Sequence, residues 1–377
     1  MKIIHLSDLH ICRTVSGVPM IEEQRRILLE RIIPAVKESG AGAVIIAGDV
    51  FDRANPAADA ISLFDDFLAE LAMLETRPEV FIISGNHDSA ERIAYGSRIM
   101  DRSGIHLSPV YDGNVTPITL SDEYGEIDFY MLPFVRKSTV RYFFPDEEIN
   151  SENDSVAVAV KAMNVAPDRR NVCVAHQFVT GASISGAEES NVGGLDAVNP
   201  EVFSQFDYVA LGHIHRPQAI AAGIRYCGSP LKYSFSELDH KKSITVVDLA
   251  GKGDVKVAEI PLVPVNDWYD VRGTFAEITS KEYIEDHPEL AEGYLRVTLT
   301  DENDIPNGYR SLQALFHNML ELHYDNARTR AMGITSETAG TSNKSDEEII
   351  RELFELQNGR SMNEEEINYI KGIICGQ

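Results

Sequence analysis

The chain has 377 residues, 44% hydrophobic and 25% charged, the balance of a soluble globular protein with a large core and about two to three domains. No apolar run approaches the roughly 18–20 residues of a membrane span, and the opening MKIIHLSDLH reads as a strand entering a polar loop, not as a signal peptide; a cytoplasmic location is therefore expected. With 34 Lys and Arg against 59 Asp and Glu, the net charge of −25 argues against a surface that grips nucleic acid unaided, so any such function needs positive charge from metal ions, a small basic patch or a partner.

In chain order, short apolar runs end in small or polar residues: Ile3 to Leu6 before SDLH, Ala43 to Ala47 before GDVFD, and Val80 to Ile83 before SGNHD. Between them, Ile21 to Lys37 and Ala57 to Met73 carry apolar residues at helical spacing, the second with Ile61, Phe64, Phe67, Leu68 and Leu71 on one predicted face. Apolar strands separated by helices predict an α/β layered core with buried strands. Further strands are expected within Glu126 to Phe134, Asn171 to Phe178, Phe206 to His215, Ala222 to Pro230 and Ser243 to Leu249, which makes a second sheet against the first. Acidic Asp146 to Asp154 and Gly-rich Gly181 to Gly194 read as exposed loops, the latter long enough for either an active-site flap or a plain surface loop.

Beyond residue 262 the metal-type residues stop. A strand (Gly293 to Asp301) and a helix (Tyr309 to Leu322) predict a small α+β capping domain over 263–332, after the main domain 1–262. A polar linker, 333–344, leads to a two-helix tail, 345–377, with capping boxes at Ser345/Glu348 and Ser361/Glu364. The cysteines Cys12, Cys173, Cys227 and Cys375 form no CxxC pair and are expected to be reduced, small apolar side chains.

Five motifs share one placement, a strand end running into a loop: Asp8-Leu9-His10, Gly48-Asp49, Gly85-Asn86-His87-Asp88, His176, and Gly212-His213-Ile214-His215. Ligands gather beyond the carboxyl ends of strands in open α/β sheets, so these loops can converge. Carboxylate with imidazole suits Mn²⁺, Fe²⁺ or Zn²⁺. On an extended strand the two residues of D-x-H or H-x-H face one side and reach either one ion or two adjacent ones. A single histidine on a strand is ordinarily a core residue, the reading given to His5, and Asp88 is expected to cap the following turn. Five such motifs in this order carry far more weight than any one.

This pattern resembles that of the calcineurin-type metallophosphoesterases, D-x-H, GD, GNH-D/E, H and GHxH. HLSDLH, AGDVFDRANP, ISGNHDS, YVALGHIHRPQ and YCGSPLKYSFSE resemble in particular its branch of SbcD-type nuclease subunits. The resemblance covers roughly residues 1–250 and implies a four-layer α-β-β-α sandwich, followed by the capping domain and helical tail. It implies two divalent ions, manganese foremost, one on Asp8, His10, Asp49 and His215 and the other on Asp49, Asn86, His176 and His213. It further implies that His87 stays off the metals and protonates the leaving oxygen, its ring held by the Asp52 carboxylate, in a two-metal hydrolysis of a phosphodiester.

The implied function is a DNA nuclease with 3′→5′ double-strand exonuclease and hairpin endonuclease activity. The implied partners are DNA ends and hairpins and an SbcC-type ATPase bound through 345–377; a homodimer is a further candidate assembly. The absence of a GxxxxGK[ST] motif here fits ATP handling by the partner. Arg53, Arg92, Lys232, Lys241 and Lys242 are candidate phosphate contacts. The alternative is a stand-alone phosphodiesterase or phosphatase for small substrates; the complete ligand set argues against a catalytically dead binding module.

Overall fold

The computed structural model describes residues 1–184, 197–327, 329 and 330, and positions 350, 351, 354, 361–363, 366, 367 and 369. The chain divides into two compact units, Met1–Tyr269 and Asp270–Gln377. The first holds two six-stranded sheets. In one, the parallel strands Lys2–Leu6, Ala43–Ala47, Glu79–Ile83 and Ile105–Ser108 are extended by antiparallel Ser243–Leu249 and Val255–Pro261. In the other, Gly125–Leu132, Arg170–His176, Tyr208–Gly212 and Ile224–Tyr226 run parallel, with antiparallel Ile118–Asp122 and Gln218–Ala221 at the two edges.

The sheets meet through Ile3, Ile45, Phe81 and Ile83 of the first and Phe129, Val172, Val174 and Ala210 of the second. At their centre Phe81 stacks on Phe129, ring centroids 4.3 Å apart, each burial contributing about 1.5–3 kcal/mol. The alternate residues Ile4, Val44, Ile46, Val80 and Ile82 are buried too, because both faces of a parallel sheet must be covered. Behind the second sheet, Val156, Ala159 and Val160 of helix Glu152–Ala162 pack with Tyr130, Cys173 and Leu211. The result is the layered α/β sandwich that the sequence implies.

Several local expectations are corrected. Helix Ala58–Met73 buries Ala60, Leu63, Phe64, Phe67, Leu68 and Leu71, while Ile61 is 54% exposed, so the buried face is rotated by one residue. The run from Ile21 to Ser39 is helical but widens into a π turn at Ile27–Ile32, next to Pro34, which has no N–H to return to the preceding turn. Within the acidic stretch, Ser151 and Asp154 form a reciprocal capping box that starts a helix. Of the predicted Gly-rich loop, residues from 185 onward lie outside the described residues. Cys173 and Cys227 are buried free thiols and Cys12 is partly exposed; Cys375 lies outside the described residues.

His5 is the core histidine expected. It is fully buried, with Nδ1 2.9 Å from the Tyr208 hydroxyl, and burial together with the nearby Arg225 pushes its pKa down to about 3. An unfolded chain, with an ordinary histidine pKa near 6.5, takes up this proton first. This contribution to stability is therefore complete above about pH 6.5 and is lost as the pH falls toward 3. His5→Gln is expected to flatten the acid limb of a denaturation-midpoint profile between pH 6.5 and 4, by a few kcal/mol at most. Profiles that superimpose would remove His5 from the account.

The second unit contains strands Tyr294–Leu299 and Met319–Tyr324, paired in parallel in a three-stranded sheet with Trp268–Gly273. The helix predicted over Tyr309 to Leu322 is shorter, Gly308–Leu315, and its second half is the strand Met319–Tyr324. Apolar spacing alone fits either state there, and pairing with Tyr294–Leu299 decides it. The linker 333–344 and the Ser345/Glu348 box lie outside the described residues. Near the second predicted box, reciprocal bonds join Asn363 and Glu366, both 2.9 Å; Glu364 lies outside the described residues. No helix among the described residues is long and apolar enough to cross a membrane.

Candidate active site

The parallel strands of both sheets end on one side, and the loops leaving Leu6, Ala47, Ile83, His176 and Gly212 bring all seven predicted ligands together. Backbone bonds hold the first two loops in step: Asp8 N–H donates to the Gly48 carbonyl (3.1 Å), His10 N–H to that of Asp49 (3.0 Å) and Ile11 N–H to that of Val50 (2.9 Å). Asp8 (φ +52°), His10 (+43°), Asp49 (+49°) and His213 (+103°) all lie at positive φ. For residues with a Cβ this backbone costs of order 1–3 kcal/mol each and persists only where surroundings enforce it. It also corrects the expectation that D-x-H is extended: the pair lies past the strand end, in left-handed turns.

Gly48 and Gly85 allow the loops to close. Gly48 has φ +85° and a Cβ there would lie 2.8 Å from His176 Cγ; a Cβ on Gly85 would strike the Asp49 carboxylate. Through this gap, Asp49 Oδ1 accepts from the His87 N–H (2.9 Å), while Oδ2 sits 3.4 Å from His176 Nε2 and 3.6 Å from His10 Nε2. One oxygen thus faces an imidazole of each predicted set, as a bridging carboxylate must.

The donor atoms fit divalent cations. His10 Nε2 and His215 Nε2 are 3.1 Å apart; Asn86 Oδ1 is 3.1 Å from His176 Nε2 and 2.9 Å from His213 Nδ1. Neighbouring ligands on a six-coordinate ion with bonds near 2.0–2.1 Å lie about 3 Å apart. Tautomers agree with this role: His215 Nδ1–H is donated to Glu237 (3.0 Å) and His176 Nδ1–H to the Ala47 carbonyl (2.8 Å), which turns both Nε2 atoms to the site. Carboxylate and imidazole atoms of Asp8, His10 and His215, of His10, Asp49 and His87, and of Asp8, Asp49 and His176 lie within 4.8 Å of one another in each group. The HIH pair divides: His215 faces His10, and His213 faces Asn86.

Electrostatics point the same way. Burial keeps His10 neutral, with its pKa far below the ordinary value, and together with His176 pushes that of His213 down to about 3. Burial opposes charge on His176 as well, but the Asp49 carboxylate overrides it and raises His176 to about 9, while the Asp49 pKa is lowered in return. A positive charge against Asp49 is thus strongly favoured.

His87 is half-buried at the edge of this cluster, its ring edge-to-face with His10 at 4.8 Å. Its Nδ1 meets Asp52, but through the main-chain carbonyl (3.0 Å), not the carboxylate. The Asp52 carboxylate pairs with Arg13 (3.0 Å) and lies 3.8 Å from His10 Nδ1. The expected Asp52 role is corrected accordingly: the loop bend at Asp52 offers its carbonyl inward while the side chain is engaged elsewhere. Asp88 is likewise no cap on the following turn. It accepts from the backbone N–H groups of Val50 (3.1 Å), Phe51 (2.9 Å) and Gly85 (2.9 Å), stapling two site loops together.

Of the candidate phosphate contacts, Arg53 has an 80% exposed side chain, but Lys232 pairs with Asp267 (2.8 Å), Arg92 with Asn55, and Lys242 is buried on Glu237 (2.7 Å). A phosphate cannot reach Lys242. Sequence reasoning missed Glu237 behind His215, Gln24 behind His10, and Phe134, whose ring stacks on His213 with centroids 6.5 Å apart. Glu237 does stand at the end of YCGSPLKYSFSE, a family-like stretch that was the available signal.

Strand-end loops of a two-sheet α/β sandwich carrying this set of carboxylates, amide and imidazoles define a metallophosphoesterase. Residues 1–217 match the calcineurin-like phosphoesterase family, and the chain belongs to it. It is also 31% identical over 328 residues to the SbcD component of the SbcCD nuclease of Staphylococcus saprophyticus, an alignment that spans 85% of this chain and 84% of that protein.

Proposed function

We propose that the chain is the nuclease subunit of an SbcCD-type complex, a Mn²⁺-dependent 3′→5′ double-strand exonuclease and hairpin endonuclease. The observation that carries this is Asp49 Oδ2, facing imidazoles of two ligand sets with His87 at the rim. One ion is assigned to Asp8, His10, Asp49 and His215, the other to Asp49, Asn86, His176 and His213. Two ions held there would withdraw charge from the phosphate and supply a water nucleophile near neutral pH.

The chain's own groups do the rest. Asn86 contributes a neutral oxygen, which avoids adding negative charge where the phosphate docks. The Asp52 carbonyl fixes the His87 ring by its Nδ1–H, leaving Nε2 as the nitrogen that protonates the departing sugar oxygen. Residues 263–332 are assigned as the capping domain, 333–344 as a tether and 345–377 as the segment that docks an SbcC-type ATPase. The similarity to a nuclease component over 85% of the chain supports this assignment. With a net charge of −25, that partner is also the expected source of basic surface for DNA.

The test is hydrolysis by the Mn²⁺-loaded chain of a 3′-labelled duplex, a hairpin oligonucleotide and a chromogenic diester, each with and without the partner ATPase. DNA cleavage is expected, enhanced by the partner for the full chain and not for a chain ending at residue 334, whose diester turnover is unchanged. Turnover of the diester alone, even with the partner present, would establish a small-substrate phosphodiesterase instead.

A further inference from the structure

We infer that Glu237, braced by Lys242, is a positioning residue that makes the Asp8/His10/His215 ion site the tighter of the two. The inference rests on the reading of the cluster as a two-ion centre. Glu237 is fully buried, at the end of the YCGSPLKYSFSE stretch, and accepts the His215 Nδ1–H through Oε1 at 3.0 Å. Its other oxygen, Oε2, takes Lys242 Nζ at 2.7 Å and the Tyr233 N–H at 3.3 Å. Lys242 Nζ in turn donates to the His215 carbonyl (2.8 Å) and to Ser229 Oγ (2.7 Å). The two charges therefore grip one residue twice, the carboxylate by its ring and the ammonium by its backbone.

A buried ion pair is a poor way to gain stability, since apolar side chains of similar volume serve as well or better. Aim is what the pair provides. A carboxylate behind a ligating imidazole fixes its tautomer, orients the ring and raises its basicity. The same ion site has a second brace. Gln24 Nε2 donates to the His10 carbonyl (2.8 Å) and to the Tyr233 hydroxyl (3.0 Å), and that hydroxyl donates to the Leu9 carbonyl (2.6 Å). This holds His10 in its positive-φ turn. His176, on the other ion site, leans through Nδ1 on the neutral Ala47 carbonyl, a weaker source of basicity. Behind the imidazoles themselves, a buried carboxylate supports His215 and a main-chain carbonyl supports His176.

The experiment is a Mn²⁺ titration of the full chain followed by electron paramagnetic resonance of the free ion, with Glu237→Gln/Lys242→Met as the variant. Removing both charges together avoids leaving either one buried without its partner. Wild type is expected to bind in two classes. In the variant the tighter class should weaken about 10–100-fold while the weaker class, the far-UV circular dichroism and the melting temperature in EDTA stay as in wild type. Two classes at wild-type affinity, or equal losses from both in a folded variant, would overturn the inference. Should the double variant fail to fold, Glu237→Asp keeps the charge pair but shortens the reach to His215, and undiminished tight binding there would be equally decisive against it. A wild-type chain that takes up no Mn²⁺ would overturn the two-ion reading itself, and this inference with it.

Discussion

Replacing His87 by alanine is expected to lower phosphodiester turnover by about 10²–10⁴-fold, the usual worth of a positioned general acid, with Mn²⁺ stoichiometry unchanged. The assignment is a real choice, because His10, Asp49 and His87 offer ligand atoms within 4.8 Å of one another. Two contacts favour the acid over a ligand. The His87 N–H is spent on Asp49 Oδ1, which places the residue beside the carboxylate assigned the bridging role without involving its ring. The ring itself is anchored by Nδ1 on the Asp52 carbonyl, outside the ligand cluster. Because that anchor is main chain, Asp52→Ala should leave the His87 orientation largely intact and act instead through Arg13 and His10, the groups its carboxylate faces. Turnover and bound Mn²⁺ are read from the same preparation; loss of both in His87→Ala would place His87 among the ligands.

Asp49→Asn is expected to have the larger effect, removing both ions where loss of an outer partner costs about 10–100-fold at one. Its Oδ2 is the atom placed between the two imidazole sets, and an amide there brings a neutral, weaker donor to both. The fold should survive. Asp49 sits among Asp8 and Asp88, whose carboxyls are raised by burial first and by the Asp49 charge besides, and against His176, whose pKa that charge raises, so its loss removes a repulsion and an attraction that offset each other in the metal-free chain. Melting in EDTA should therefore be close to wild type. Added Mn²⁺ should stabilise wild type by about 2.7 kcal/mol for each ion at a hundredfold excess over its Kd and leave the variant unmoved. A variant that still gains wild-type stability from Mn²⁺ would show that Asp49 is not shared between ions.

The strands and the seven candidate ligands were legible because their signals are local. A strand covered on both faces must be apolar throughout, as Ala43–Ala47 is, and an imidazole or carboxylate at its end has few structural reasons to be there five times over. The boundary between helix and strand near Phe316 was not legible, since a run such as HNMLELHY satisfies either period until a partner strand is present. Asp88 and Asp52 were misread for a related reason. Each looks like a carboxylate beside His87 in sequence or motif, yet which atoms meet depends on turns at positive φ that a side-chain pattern does not encode.

The sequence by itself determined the layered α/β class, the placement of the motifs at strand ends and the chemistry of the donor set, because periodicity and residue type carry those directly. The family resemblance implied how the donors divide, but only the tertiary structure brings the atoms together that way: His213 to Asn86, His215 to His10, and Asp49 between the two sets. It alone took Lys242 from the surface and buried it with Glu237 behind His215. The first outcome depends on loops from different strands closing over Gly48 and Gly85, and the second on burial that drives charged atoms to find partners. Those constraints exist only once the two sheets have packed.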